Sequence, residues 1–117
     1  MITPEQAKDA AVSAVETYLA QNKIKYSTNT SESGSIYYTL ELDNGQPKIR
    51  ISNHNFRKDE NYKLCSLSIV YTEDFGKNTT VKKIKVRVQK MVEKLIHNHN
   101  IYAIHRLFEK LDKENKK

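Results

Sequence analysis

Cysteine, glycine and unbroken apolar runs are all scarce in this 117-residue chain, and each scarcity removes a class of protein. The single cysteine, Cys65, cannot close an internal disulfide, so a disulfide-stapled secreted scaffold is excluded. The three glycines, Gly34, Gly45 and Gly76, stand isolated, which excludes a glycine-rich loop cradling phosphate. No apolar stretch approaches the roughly 18 residues needed to cross a bilayer. The start Met1-Ile2-Thr3-Pro4 has neither the basic nor the apolar region of a secretion signal, so the expected setting is reducing and cytoplasmic. At this length a single domain over residues 1–117 can bury a modest core without metal or disulfide.

What is present reads first as a helix. Thr3 is an N-cap type, Pro4 suits the first helical position, and Gln6 completes a capping box. Ala7, Ala11, Ala14, Val15, Tyr18 and Leu19 then follow helical spacing to an end near Asn22, with Lys8, Asp9, Ser13, Glu16 and Thr17 facing elsewhere. Four inward alanines, at 7, 10, 11 and 14, allow close approach but contribute little apolar area. After a short extended piece around Ile24–Ser27 and a polar loop from Thr28 to Gly34, Ile36, Tyr38, Leu40 and Leu42 alternate with Ser35, Tyr37, Thr39 and Glu41, the pattern of a half-buried strand. Asn44-Gly45 predicts a two-residue hairpin turn into Lys48–Asn53. Counting outward sets Leu40 opposite Ile49, Tyr38 opposite Ile51, Glu41 opposite Lys48, Thr39 opposite Arg50, Tyr37 opposite Ser52 and Ser35 opposite His54. Pro47, having no amide hydrogen, belongs at an edge or a non-bonded site.

A loop at residues 55–61 precedes a third strand at Lys63–Tyr71, with Glu73–Asn78 closing it. Residues 79–88 fit either period. The helical one is preferred because Val81, Ile84, Val88, Met91, Val92 and Leu95 account for twice the length; Val86 fits it worst. Asn98-His99-Asn100 reads as a corner starting a last helix with Ile101, Ile104, Phe108 and Leu111 inward, before a frayed tail at 113–117. The expected fold is α+β: an N-terminal helix, a three-stranded antiparallel β-meander and a C-terminal helical hairpin. The helices should pack on the sheet face of Tyr38, Leu40, Ile49, Ile51, Leu67 and Ile69.

The charge is unevenly placed. Residues 1–76 carry 8 basic and 10 acidic side chains (net −2), whereas residues 77–117 carry 12 basic and 4 acidic (net +8). Lys83, Arg87, Lys90 and Lys94 recur at i, i+4, i+7 and i+11 opposite the apolar stripe, with Lys82 beside them and only Glu93 to offset them. Like charges at this spacing cost helix stability, so the row wants an external anion: nucleic acid, a nucleoprotein complex, or an acidic protein surface. A membrane is disfavoured because the opposite face is needed for the core. A solvated outer face is the plain alternative.

Two constellations invite chemistry. The hairpin's polar face gathers Ser35, Tyr37, Arg50, Ser52 and His54, a second binding surface that as a nuclease or phosphodiesterase would use His54 as base and Arg50 to hold the anion. No second acid, base or carboxylate pair stands near, so a non-enzymatic protein is expected. His97, His99 and His105 suggest a metal, but a tetrahedral zinc needs a fourth ligand and Cys65 lies on the expected core strand; the residues read as a helix corner, with no metal and no cofactor.

The segments Ser33-Gly34-Ser35-Ile36-Tyr37 and Lys48-Ile49-Arg50-Ile51-Ser52-Asn53-His54 together resemble a pattern of small orphan proteins of phages and mobile elements, over about a fifth of the chain; there an Asp commonly stands at the position of Asn53. The resemblance implies an accessory protein, anti-CRISPR-like inhibitors included, that acts by binding rather than catalysis. The basic C-terminal part disfavours imitation of DNA and favours contact with guide RNA, DNA or an acidic groove.

Overall fold

The computed structural model describes residues 2–32, 34–43, 45–52, 66–68, 72–74 and 79–115. The architecture is α+β, in the order α1 (Pro4–Gln21), β1 (Lys25–Thr30), β2 (Ile36–Glu41), β3 (Lys48–Ser52), β4 (Ser66–Ser68), β5 (Thr72–Asp74), α2 (Val81–Asn115).

The capping box of α1 forms as its sequence requires: Gln6 N donates to Thr3 Oγ1 (3.1 Å) and Thr3 N donates to Gln6 Oε1 (3.0 Å). The helix stops at Asn22 because Lys23 turns left-handed, at φ 55°. Ile24 N then donates to Leu19 O (2.9 Å) and Lys23 N to Ala20 O (3.2 Å), the double closure of a Schellman motif. Ile24, half-buried, packs against the core at this exit.

The five strands form one antiparallel meander in chain order, β1-β2-β3-β4-β5. The expected three strands become five by two corrections. The polar segment Lys25–Thr30 pairs along its whole length with β2, so the loop expected from Thr28 begins later. In place of one strand over residues 63–71, Ser66–Ser68 and Thr72–Asp74 are separate partners, and Glu73 lies within β5 rather than in a closing loop. Residues 63–65 and 69–71, with Ile69 and Cys65 among them, lie outside the described residues.

The β2–β3 register differs from the expected one by two residues. Tyr38 opposes Ile49, Ile36 opposes Ile51, Tyr37 opposes Arg50 and Thr39 opposes Lys48. The turn closes on Leu42 and Gly45, which exchange both backbone hydrogen bonds (3.0 and 3.3 Å). A shift of two leaves every side chain on its expected face, and it gives Ile36 an apolar partner where the expected register offered Asn53. Glu41 stands opposite Lys25 of β1 instead of Lys48. Pro47 accepts from Leu40 N (2.9 Å) but has no hydrogen to return, and β3 begins only after it.

Both helices lie on the sheet face of Tyr38, Leu40, Ile49 and Ile51. Ala7, Ala10, Ala11 and Ala14 of α1 are buried together with Ile84, Val88, Met91, Val92 and Leu95 of α2, so the small side chains let the two helices approach while β2 and β3 supply the bulk. Residues 81–88 are thus helical.

The expected helical hairpin is one unbroken helix. Asn98, His99 and Asn100 lie inside α2, and so do Lys113, Glu114 and Asn115, expected in the tail. Neither Gly nor Pro occurs in this helix, and Asn and His cost only about 0.7 kcal/mol each against alanine, too little to break a hydrogen-bonded run. At 35 residues α2 is about 52 Å long, and its last turns project from the body. The radius of gyration is accordingly 16.8 Å, against about 13 Å for a compact chain of this length.

Candidate nucleic-acid interface

The cationic row begins at the first turn of α2. Thr80 caps the helix, its Oγ1 accepting from Lys83 N (3.2 Å) and its carbonyl from Ile84 N (3.0 Å). No acidic residue occupies this turn, unlike α1, which carries Glu5 there. The positive end of the helix dipole therefore stands among Lys82, Lys83 and Lys85, all exposed, where each adds to its field instead of offsetting it.

Lys83, Arg87, Lys90 and Lys94 are all exposed, while Ile84, Val88 and Val92 between them are fully buried. The row thus points away from the core over about 16 Å of helix. Lys83, Arg87 and Lys90 have no carboxylate partner among the described residues, whereas Lys94 is engaged within the chain. Glu93, the one acid expected to offset the row, accepts a hydrogen bond from Gln89 Nε2 (3.4 Å). It also lies near enough to Tyr18 to add to the upward shift that burial imposes on that phenol.

The second predicted surface is partly assembled. Tyr37 and Arg50 are direct cross-strand partners, both half-buried, with Arg50 Cζ 6.0 Å from the centre of the Tyr37 ring, at the outer reach of a cation–π contact. Arg50 Nε is buried and has no hydrogen-bond partner among the described residues. His54 lies outside the described residues. Ser35 does not join the group: it is buried, and it closes the β1–β2 turn by donating its N–H to Ser31 Oγ (3.1 Å) and accepting from Ser31 N (2.9 Å). Tyr37 and Arg50 occupy the sheet face away from the helices, and the α2 row looks outward from the helical layer. The two surfaces are therefore separate.

Compared with family models, with curated proteins and with solved structures, the chain matches none. The site must be weighed on its own chemistry. Among the described residues no three His, Cys, Asp or Glu side chains group as a metal would need. His97 and His105 are exposed on α2, whereas His99 is half-buried against the hairpin turn, its Nε2 without a hydrogen-bond partner among the described residues. No helix among the described residues is long and apolar enough to cross a membrane.

Two features had little signature in the sequence. Gly45 (φ +146°) lies under His99 so closely that a Cβ would meet the ring carbon Cε1 at 3.2 Å, which ties the middle of α2 to the hairpin turn. Glu16, outside the apolar stripe of α1, accepts from Tyr26 Oη (3.3 Å), and the Tyr26 and Tyr38 rings meet at 5.6 Å. Burial raises the Tyr38 phenol far above its ordinary value, and neighbouring Glu16 and Tyr26 add to the shift.

Proposed function

We propose that this protein is a non-enzymatic binding protein of the phage and mobile-element type. It docks through Lys83, Arg87, Lys90 and Lys94 on the phosphate backbone of nucleic acid, free or within a nucleoprotein complex, and so acts as an anti-CRISPR-like inhibitor of host defence. One observation carries the reading: a row of cations held at fixed spacing on a rigid helix, facing solvent, with no carboxylate beside Lys83, Arg87 or Lys90 among the described residues. Holding like charges at i, i+4 costs helix stability. An external polyanion returns that cost by releasing its condensed counterions.

The row spans about 16 Å, close to five rises of about 3.4 Å along a duplex, so its cations face a run of phosphates and not a single one. Tyr37 and Arg50, on the far side of the sheet, form a separate surface suited to a ring or an anion, and serve a second contact in a larger complex.

A mobility-shift titration of duplex DNA and of RNA across salt tests the docking. Affinity falling steeply with salt is the expected result; a flat response identifies a protein-interaction module that never touches phosphate. Nuclease or phosphodiesterase activity that His54→Ala abolishes would overturn the non-enzymatic reading.

A further inference from the structure

The projecting half of α2 has its own apolar stripe. Ile101, Ile104, Phe108 and Leu111 are 39%, 52%, 62% and 45% exposed, and Leu107 beside them 57%, a concentration of bare apolar surface that a lone helix does not keep without a partner. Their spacing of 3, 4 and 3 is that of a coiled-coil seam. They lie on the side of the helix opposite Ile84, Val88, Met91 and Leu95, the residues that α2 buries in the core. The same spacing runs back without interruption through His97, Lys94, Lys90, Arg87 and Lys83. One seam of α2 is therefore cationic in its first half and apolar in its second.

We infer that the apolar half pairs with the same segment of a second copy of this chain, the two helices antiparallel. The two halves decide the direction. Side by side in parallel, two copies would bring Lys94, Lys90 and Arg87 of each against their own counterparts, layer upon layer of like charge at seam positions. Antiparallel pairing centred near Arg106 sets Ile101 against Leu111 of the other copy and Ile104 against Phe108, each layer repeated by the two-fold axis, with Leu107 of the two copies meeting across it. The cationic halves then extend beyond the paired zone at opposite ends.

The paired stretch suits self-association, since residues 97–115 hold three basic side chains (Arg106, Lys110, Lys113) and three acidic ones (Glu109, Asp112, Glu114). Covering the five apolar side chains on both copies removes on the order of 1,000 Å² of surface, the lower edge of specific interfaces, so the dimer is reversible and concentration-dependent.

Sedimentation velocity on the full chain, from micromolar to near-millimolar concentration, tests this directly. The expected record is a monomer–dimer equilibrium that Ile104→Asp weakens at least about tenfold, with the far-ultraviolet circular dichroism unchanged because Ile104 contributes nothing to the core. In a Cys65→Ser background, Leu107→Cys should cross-link across the two-fold axis and Ile104→Cys should not. A monomer at every concentration, or a dimer indifferent to Ile104→Asp, overturns the inference. Cross-linking through Ile104→Cys in place of Leu107→Cys overturns the antiparallel arrangement. None of these readouts involves nucleic acid, so they stand or fall apart from the proposed docking.

Discussion

Removing three of the row's charges at once, in Lys83→Ala/Arg87→Ala/Lys90→Ala, separates a docking surface from an ordinary solvated face. Three phosphate contacts on duplex DNA, from the cations that lack a carboxylate partner among the described residues, give a slope of log affinity against log salt of about −2.7, or roughly a 40-fold loss between 50 and 200 mM salt. Without them the row's share of the slope is lost, and the same salt change leaves the affinity nearly unaltered. Fluorescence anisotropy of a labelled duplex over that salt range measures both. The fold should not suffer, because all three side chains are exposed and their removal relieves three like-charge pairs worth about 0.2–0.5 kcal/mol each. The melting temperature should hold or rise slightly. An unchanged slope in the variant refutes the assignment of the phosphate contacts to this row. A lowered melting temperature refutes the argument that the row is held at a cost.

Other expectations concern the frame that carries the row. Gly45→Ala should cost about 1–3 kcal/mol in urea unfolding, since its φ of +146° is strained for any side chain and the new methyl meets His99; a neutral result would mean that α2 does not rest on the turn. Lys23→Gly should add up to about 1 kcal/mol by relieving the left-handed residue of the Schellman motif. Ala11→Leu should cost about 1–3 kcal/mol by overfilling the interface between α1 and α2, read as a drop in melting temperature. Because burial and then Glu16 raise the Tyr38 phenol, the unfolded chain releases this proton first: the stability due to it is intact below about pH 10 and falls as pH climbs further. Tyr38→Phe should flatten that alkaline loss in paired denaturation curves, and an identical slope in both proteins would disprove it.

The parts of the fold written in local chemistry were legible. Thr3, Pro4 and Gln6 specify the start of α1 by hydrogen bonds that the side chains themselves make, and the structure forms them. The alternation of Ile36, Tyr38 and Leu40 named the buried face correctly because a strand's period fixes faces. It does not fix register, since a shift of two residues keeps every face; the pairing of Ile36 with Ile51 decided that, and it depends on the partner strand. β1 was invisible as a full strand because Ser27, Thr28, Asn29 and Thr30 are exposed and hold their place by backbone pairing with β2. The corner expected at Asn98–Asn100 failed because cap-forming residues permit a helix end without compelling one. Of the candidate site, the row on α2 could be projected from spacing alone, whereas the meeting of Tyr37 with Arg50 needed the true register.

The continuity of α2 also fixes a phase. With no joint between Lys94 and Ile101, the bearing of the apolar stripe relative to the cations is set by residue count. A single residue inserted between Asn100 and Ile101 would swing the distal half through about 100° and carry it about 1.5 Å outward, leaving His99 on the hairpin turn. Seven inserted residues would nearly restore the bearing while lengthening the arm by about 10 Å. The spacing between the two halves is thus a dial of angle and reach, built into one helix and adjustable without disturbing the core.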